Sequence, residues 1–336
     1  MFPFFKQLAS YTTIPSAIIS SVSGPNDWIS SAGGDTVTIT GTDFISGGLL
    51  AFSANGIPCT NVTFVNSTTC MATAPAQTGV ASPSSTFTFT GTNGNGSPMT
   101  AGNIIYNWDP SQLASLISWY QITQPNDAWA TVSDGYITQL LPRAYAAGYN
   151  LPMIGSTAAY NVSGINNLPS LDTSVNPGEL QNAVFGTPVN QPFSISMVAQ
   201  QTSLTGAYFT LTPAPTGLTL ATFGPPTEYI LLGGVSYTLI SPTSVTSAPF
   251  SIDISYNGTT NSSAYINAVA QGATPNLNGG TPILSAIGIN QTDGAGNADN
   301  TFSGFISSCL VTNDVLTTDE LAALSSWRIT YYGIPA

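Results

Sequence analysis

Gly33-Gly34-Asp35-Thr36-Val37-Thr38-Ile39-Thr40-Gly41-Thr42-Asp43-Phe44 is the stretch on which the reading of the fold turns. From Thr36 to Thr40 polar and apolar side chains alternate, which places Val37 and Ile39 on one face and the threonines on the other. That period of two marks a half-buried β-strand. Gly33-Gly34 supplies a tight entry to the strand, and Gly41 is expected to turn the chain so that Phe44 plugs the end of a sandwich.

The same alternation recurs outward along the chain. Thr86-Phe87-Thr88-Phe89-Thr90 repeats it, as do Ser194–Val198 and Phe250–Ser255, and Tyr229–Leu232 adds another short strand-like run. Short runs of Val, Ile, Thr, Phe and Tyr lie between clusters of Gly, Pro, Asn and Ser, the pattern of an all-β protein made of sandwiches or barrels. The turn cluster Gly91-Thr-Asn-Gly-Asn-Gly-Ser-Pro98 is expected to join two strands, because Gly and Asn reach positive φ at little cost. A domain boundary is placed at Tyr106-Asn-Trp-Asp-Pro110, where the character of the sequence changes. One helix is predicted near the C-terminus: Thr317 is its N-cap, Glu320 its capping-box partner, and Leu321, Leu324 and Trp327 its buried face. A second, short helix is predicted over Pro110 to Ser118. No repeat of solenoid period is present.

Composition limits the chemistry. The 336 residues are enough for two domains, but charged residues are 5% of the chain, against roughly 25% in an average soluble protein. Lys6, Arg143 and Arg328 are its three cations, there is no His, and 15 carboxylates give a net charge of −12. The most common general base and metal ligand is therefore missing. Three cations cannot neutralise an extended phosphate footprint, which excludes nucleic acid as a partner. The same count excludes a polybasic membrane anchor, and no apolar run has the length of a membrane span, so no membrane insertion is expected. At the N-terminus the lysine follows the apolar residues, a poor secretory signal, and no cleaved leader is expected. Phe2, Phe4 and Phe5 form an aromatic arm that would dock on a partner or tuck against its own core. Three cysteines do not make a disulfide framework, and Cys309 reads as a small buried apolar residue.

Residues from about Ile19 to Tyr106 resemble the IPT/TIG family, a small immunoglobulin-like fold. The resemblance rests on Ile19-Ser-Ser-Val22-Ser-Gly-Pro25, on Gly33 to Phe44, and on Cys59, Val62-Thr-Phe-Val65, Ser67-Thr-Thr-Cys70, Ala74-Pro75 and Ile105-Tyr106. In some members the cysteines equivalent to Cys59 and Cys70 are bridged, which a reducing cytoplasm would oppose. From about Leu113 to the end the chain is similar to the laminin-G-like, concanavalin-type jelly roll. Leu116-Ile-Ser-Trp119-Tyr, Ser133-Asp-Gly135, Asn166 to Asp172 and Pro192 to Val198 carry that likeness, with Ser263-Ala-Tyr-Ile-Asn267 resembling a strand that presents a surface Asn. Phe302 to Ile306 and Leu316 through Ile334 complete it. The expected organisation is an arm over 1–17, an Ig-like β-sandwich over 18–108 and a jelly-roll sandwich with one short C-terminal helix over 109–336.

Candidate sites follow from these resemblances and from the residues present. Some jelly rolls of this kind hydrolyse glycosidic bonds with two facing carboxylates about 5–9.5 Å apart. Glu179, Glu228 and Glu320 are scattered, Glu320 is explained by capping, and no Asp pair shares a strand face, so no catalytic residue is assigned. Cys309 has no His to activate it. Many such domains bind calcium at the rim, and Asp293, Asn297 and Asp299 gather hard oxygen ligands in one loop, with Asn126, Asp127 and Asp134 a weaker cluster. The competing reading is a solvated Gly/Asn loop, so the expectation is no cofactor other than calcium. For glycans, Trp129 is the best aromatic platform, with Tyr265 and Asn267 as neighbours, against the plain alternative that Trp129 is buried. Trp119 and Trp327 read as core. The sequons at Asn61, Asn66, Asn161, Asn257, Asn261 and Asn290 are what a chain rich in Asn, Ser and Thr contains by chance.

An Ig-like domain joined to a glycan-type jelly roll, with an uncharged polar surface and no secretion signal, is a pairing common on bacteriophage particles. The leading expectation is a virion surface protein, a capsid decoration protein whose arm and Ig-like domain meet the major capsid protein or another virion protein. The alternatives are a tail or fibre protein that binds host surface glycans, and a cell-surface adhesin or carbohydrate-binding module. A homo-oligomer, such as a trimer at a local threefold position, would suit a shell.

Overall fold

The computed structural model describes residues 16–123, 129–174, 180–182, 185, 187–202, 207–210, 219–223, 229–232, 238–240, 248–257, 263–271, 284, 288–289 and 304–334. The chain divides into two compact units, Met1–Asn107 and Trp108–Ala336. The named strands of both pair antiparallel, so the protein is all-β, an Ig-like sandwich followed by a jelly roll. The arm residues Phe2, Phe4 and Phe5 lie outside the described residues.

The first unit comprises β1 (Ile18–Ser23), β2 (Thr36–Thr42), β3 (Ala51–Ala54), β4 (Ile57–Pro58), β5 (Thr60–Asn66), β6 (Thr69–Thr73), β7 (Ser84–Thr92) and β8 (Gly102–Asn107). They form two four-stranded sheets, β1-β2-β6-β5 and β4-β3-β7-β8. Val37, Ile39, Ala54, Cys70, Phe89 and Ile104 are buried completely between them. Phe52 stacks on Phe89 with centroids 5.7 Å apart, and Phe44 meets Phe52 edge-on at 6.2 Å. Such ring pairs add about 0.5–1.5 kcal/mol each beyond the area they bury.

Gly41 does not turn the chain, contrary to the sequence reading. It lies inside β2, where a Cβ would stand 2.0 Å from the carbonyl oxygen of Ile18 and 2.5 Å from Cζ of Phe44. Glycine is needed there because the Phe44 ring lies on the backbone. Asp43, at φ 58°, takes the turn instead. The glycine-rich cluster does link β7 to β8, and its Asn93 is buried: Oδ1 accepts from Ile45 N at 2.7 Å and Nδ2 donates to the Asp43 carbonyl at 2.9 Å.

The second unit begins with a 3₁₀ turn at Pro110–Gln112, capped by Asp109, whose Oδ1 accepts from Ser111 N at 3.0 Å and Ser111 Oγ at 2.6 Å. The helix predicted over Pro110 to Ser118 is not formed beyond that turn, because Leu116–Gln121 is strand β9 and both its faces are buried. There follow β10 (Ala130–Ser133), β11 (Tyr136–Leu140), β12 (Ala144–Tyr145), β13 (Met153–Ile165), β14 (Leu168–Asp172), β15 (Leu180–Asn182) and β16 (Phe193–Gln201). A separate meander is made by β17 (Ala207–Thr210), β18 (Thr219–Phe223), β19 (Tyr229–Leu232) and β20 (Thr238–Ile240). The chain closes with β21 (Phe250–Tyr256), β22 (Ser263–Ile266), β23 (Val269–Ala270), β24 (Gly288–Ile289), β25 (Gly304–Thr312) and helix α1 (Thr318–Tyr332).

The main sheet runs β10-β11-β13-β14-β25-β16-β21-β22-β23, and β9 pairs with the far end of the β25 edge that β14 also uses. One face of β16 and β21 carries Phe193, Ile195, Met197, Ile252 and Ile254 into the apolar core. The opposite face is polar, and it is buried too. Trp119, Leu310, Ser196, Asp253 and Tyr265 are register partners in one row across five strands. Helix α1 covers that row. Its capping box forms as the sequence predicts, with Glu320 N donating to Thr317 Oγ1 at 3.2 Å and Thr317 N donating to Glu320 Oε2 at 2.9 Å. Leu321, Leu324, Trp327, Arg328 and Tyr332 are its buried residues, and Gly333 ends it at φ 64°. Trp327 meets Trp119 edge-on at 5.7 Å.

Arg328 is 1% exposed and reaches down into the polar row. Its Nη1 and Nη2 donate to the two carboxylate oxygens of Asp253 at 2.7 and 2.5 Å, with further bonds from Nη1 to Ser251 Oγ and from Nη2 to Ser196 Oγ. Neighbouring serines pin the segment leading into α1: Ser194 Oγ donates to the Asp314 carbonyl at 2.8 Å and accepts from Leu316 N at 3.1 Å.

Removing one partner of such a pair leaves a buried charge uncompensated, at about 3–5 kcal/mol, whereas replacing both by apolar groups is often neutral. Arg328→Met should therefore lower jelly-roll stability in urea unfolding by about that amount, and Arg328→Met with Asp253→Leu should recover most of it. Gly41→Ala should destabilise the first unit by about 1–3 kcal/mol through overpacking against Phe44, seen as a lower midpoint for that unit's transition.

Candidate functional site

Trp129 stands immediately before β10 and is half-buried. Its carbonyl accepts from Leu141 N at 2.7 Å, and the Arg143 guanidinium carbon lies 5.7 Å from its ring centroid. The same guanidinium is 5.4 Å from the centroid of Trp119. Arg143 Nη1 donates to Gln121 Oε1 at 2.7 Å, and Gln121 Nε2 donates to the Tyr332 hydroxyl at 3.2 Å. Burial pushes the Tyr332 phenol above its ordinary value. Arg143 is thus a buried brace between two indoles and the end of α1, a cation–π arrangement strengthened by desolvation.

The other two residues expected beside Trp129 lie elsewhere. Tyr265 is on β22, four strand steps from Trp119 along the row described above, or about 19 Å at ~4.8 Å per strand. Asn267 (φ 49°) and Ala268 (φ 63°) form the two-residue turn between β22 and β23. Asn267 Oδ1 accepts from Ser251 N at 2.8 Å and its own N–H donates to the Ser251 carbonyl at 3.0 Å. Its amide oxygen is committed to the fold, which explains an Asn at a left-handed position. The structure does not bring Trp129, Tyr265 and Asn267 together.

Asp293, Asn297 and Asp299 lie outside the described residues, as do Asn126, Asp127, Glu179 and Glu228. Asp134 is exposed in the turn between β10 and β11. Among the described residues no three His, Cys, Asp or Glu side chains gather where they would hold a metal. Cys59, Cys70 and Cys309 are free, buried thiols. Burial pushes Cys59 and Cys70 up to about 11 and Cys309 up to about 12, which suppresses the thiolate that exchange or attack would need.

The sequence reading missed a second row on the outer face of the sheet. Ser133, Tyr136, Ala159, Asp172, Phe305 and Gln200 are register partners across β10, β11, β13, β14, β25 and β16. The residues that follow or precede them, Ile137, Ala158, Leu171 and Ile306, point the other way into the apolar core. Tyr136 is 37% exposed, Ala159 and Phe305 are half-buried, and Asp172 is 8% exposed at the bottom of the row. Asp172 Oδ1 accepts from Ser174 N at 3.0 Å and Ser174 Oγ at 2.6 Å, and Oδ2 accepts from Asn161 Nδ2 at 3.2 Å. Unlike Asp253, it has no cation beside it among the described residues. The four central residues lie 13 to 169 positions apart in the chain, so only the alternation within each strand hinted at the face, and nothing in one dimension gave the register.

Residues 17–106 match the family model of the IPT/TIG domain, so the first unit is an IPT/TIG domain. No curated protein matches the chain. Among solved structures, the sialidase of Trypanosoma rangeli bound to 2,3-difluoro-KDN is similar over 70% of this chain and 35% of its own, at 12% identity and a TM-score of 0.46. The binding domain of botulinum neurotoxin serotype G is similar over 66% of this chain and 54% of its own, at 15% identity and a TM-score of 0.46. This chain therefore spans less than two thirds of either. No helix among the described residues is long and apolar enough to cross a membrane.

The buried thiols set a pH dependence. A thiol that ionises near pH 9 when unfolded but is held neutral to about 11 or 12 when folded stabilises the fold fully below pH 9 and loses that contribution as pH rises beyond it. With no His in the chain, side chains give no titration centred near pH 6.5. Unfolding midpoints should stay level from pH 6 to 8 and fall above pH 9, more shallowly when Cys309 is replaced by Ala.

Proposed function

We propose that this protein is a non-catalytic binding and display module, carried on a particle or cell surface. One observation carries the reading: both described cations, Arg143 and Arg328, are buried in structural contacts, and the chain has no His. No described side chain offers an exposed positive group or an imidazole to act as acid, base or oxyanion donor. Two of the three buried carboxylates among the described residues are committed to the fold as well. Asp109 caps a turn and Asp253 holds Arg328. Asp172 and Asp253 lie on strands three steps apart, with β25 and β16 between them, and their rows cross β16 four residues apart, at Gln200 and Ser196, which separates them by roughly 20 Å. That is too far for the two-carboxylate chemistry of glycosidases.

The same surface bears on partners. A surface with exposed carboxylates and no exposed cation among the described residues does not attract the phosphate backbone. It suits a protein displayed at high copy, where charge-driven sticking is a liability. On this reading the chain is a virion surface protein that decorates a capsid, its IPT/TIG domain meeting shell protein and its jelly roll facing outward.

Two measurements test these statements. Incubation of the full chain with oligosaccharides should release no new reducing ends, and cleavage abolished by a single carboxylate replacement would refute the non-catalytic reading. Quantitative mass spectrometry of purified particles should find the chain at high copy. A few copies per particle would mean a tail protein, and absence would move it to a cell surface.

A further inference from the structure

Asp172 is a buried carboxylate with three hydrogen-bond donors and, among the described residues, no cation. Ser174 places two donors on Oδ1, while Oδ2 receives a single bond from Asn161 at 3.2 Å. An ionised carboxylate accepts at about four lone-pair sites, so Oδ2 has acceptor capacity left. Burying such a charge is costly unless its acceptor sites are filled. The row that contains it gives the shape of what would fill them. Ala159 and Asp172 form a low floor between Tyr136 on one side and Phe305 on the other, with the two rings three strands apart, or about 14 Å. Gln200 and Ser133 extend the row with polar groups at each end.

A floor with a hydroxyl acceptor, bounded by aromatic walls, matches a ligand with apolar C–H faces and hydroxyl edges. An anionic ligand finds no exposed cation among the described residues. Within the row itself a cationic peptide finds a single carboxylate, Asp172, and it is recessed. We propose that the outer face of β11, β13, β14 and β25 is a glycan-binding trough that takes a neutral oligosaccharide, with Asp172 accepting from sugar hydroxyls and Tyr136 and Phe305 packing on ring faces. This rests on the reading of the chain as a binding module and names the ligand class and the surface that takes it.

The test uses the full chain on an array of neutral hexose and N-acetylhexosamine oligosaccharides, followed by calorimetric titration with the best-retained hexasaccharide. Binding should be insensitive to ionic strength, as expected for an uncharged ligand. Tyr136→Ala and Asp172→Asn should each weaken it about tenfold or more, and Trp129→Ala should leave it unchanged. Tyr136 is exposed, so its replacement should not move the jelly roll's melting temperature and remains informative if Asp172→Asn loosens the fold. Four results would overturn the proposal: no array glycan retained, wild-type affinity in both variants, binding that collapses with salt, or self-association that Tyr136→Ala abolishes. Retention without new reducing ends leaves the non-catalytic reading intact whichever way the variants behave, and release of reducing ends defeats that reading alone.

Discussion

Arg328 and Asp253 meet beneath α1 with side chains 2% and 1% exposed, and the architecture of the jelly roll follows from how that pair is accommodated. A sheet strand normally keeps one face for the core and gives the other to water. Here β16 and β21 bury both faces, and the second is lined with Ser194, Ser196, Ser251, Asp253 and Ser255. A polar layer of that kind is stable only when nearly every group has a partner. The guanidinium supplies several donors at once to Asp253, Ser251 and Ser196, in the forked geometry that a lysine cannot reproduce. Trp327 on Trp119 and Tyr332 on Gln121 then fix the helix on either side.

Covering one end of the sheet decides what the other end can do. The row Trp119 to Asp253 is closed by α1, while the row Tyr136 to Gln200, near the opposite end of β16 and β25, keeps Tyr136 exposed and Phe305 and Gln200 partly so. The chain spends two of its three cations inside this one unit. Among the described residues, what is left outside is hydroxyl, amide and carboxylate.

The legible parts of the sequence were those encoded locally. Thr317, Glu320 and Gly333 announced α1 at both ends, and the alternation of Val37 with Ile39 announced β2. The illegible parts depended on contacts across the chain. Phe250-Ser-Ile-Asp-Ile-Ser255 reads as a half-exposed strand, and only Arg328, 75 residues from Asp253, shows that its polar side is interior. Gly41 reads as a turn because the ring of Phe44 that lies on it cannot be seen in one dimension. Pro110 to Ser118 reads as a short helix, yet pairing of Leu116 to Ser118 with β25 overrides that local preference. Asn267 looked like a surface ligand and is a turn residue bonded to Ser251. In the same way residue type groups Trp129 with Tyr265 and Asn267, whereas the strand order puts Trp129 beside β10 and the other two on the β22–β23 hairpin at the far end of the sheet.

Native-state hydrogen exchange along α1 tests the claim that this helix is an integral layer of the sandwich. If Arg328 and the indole contacts tie it to the sheet, amides of Leu321 to Tyr332 should open with the same free energy as those of β16 and β21, in one cooperative unit. Exchange of α1 by local opening, while β16 and β21 stay protected, would contradict the account.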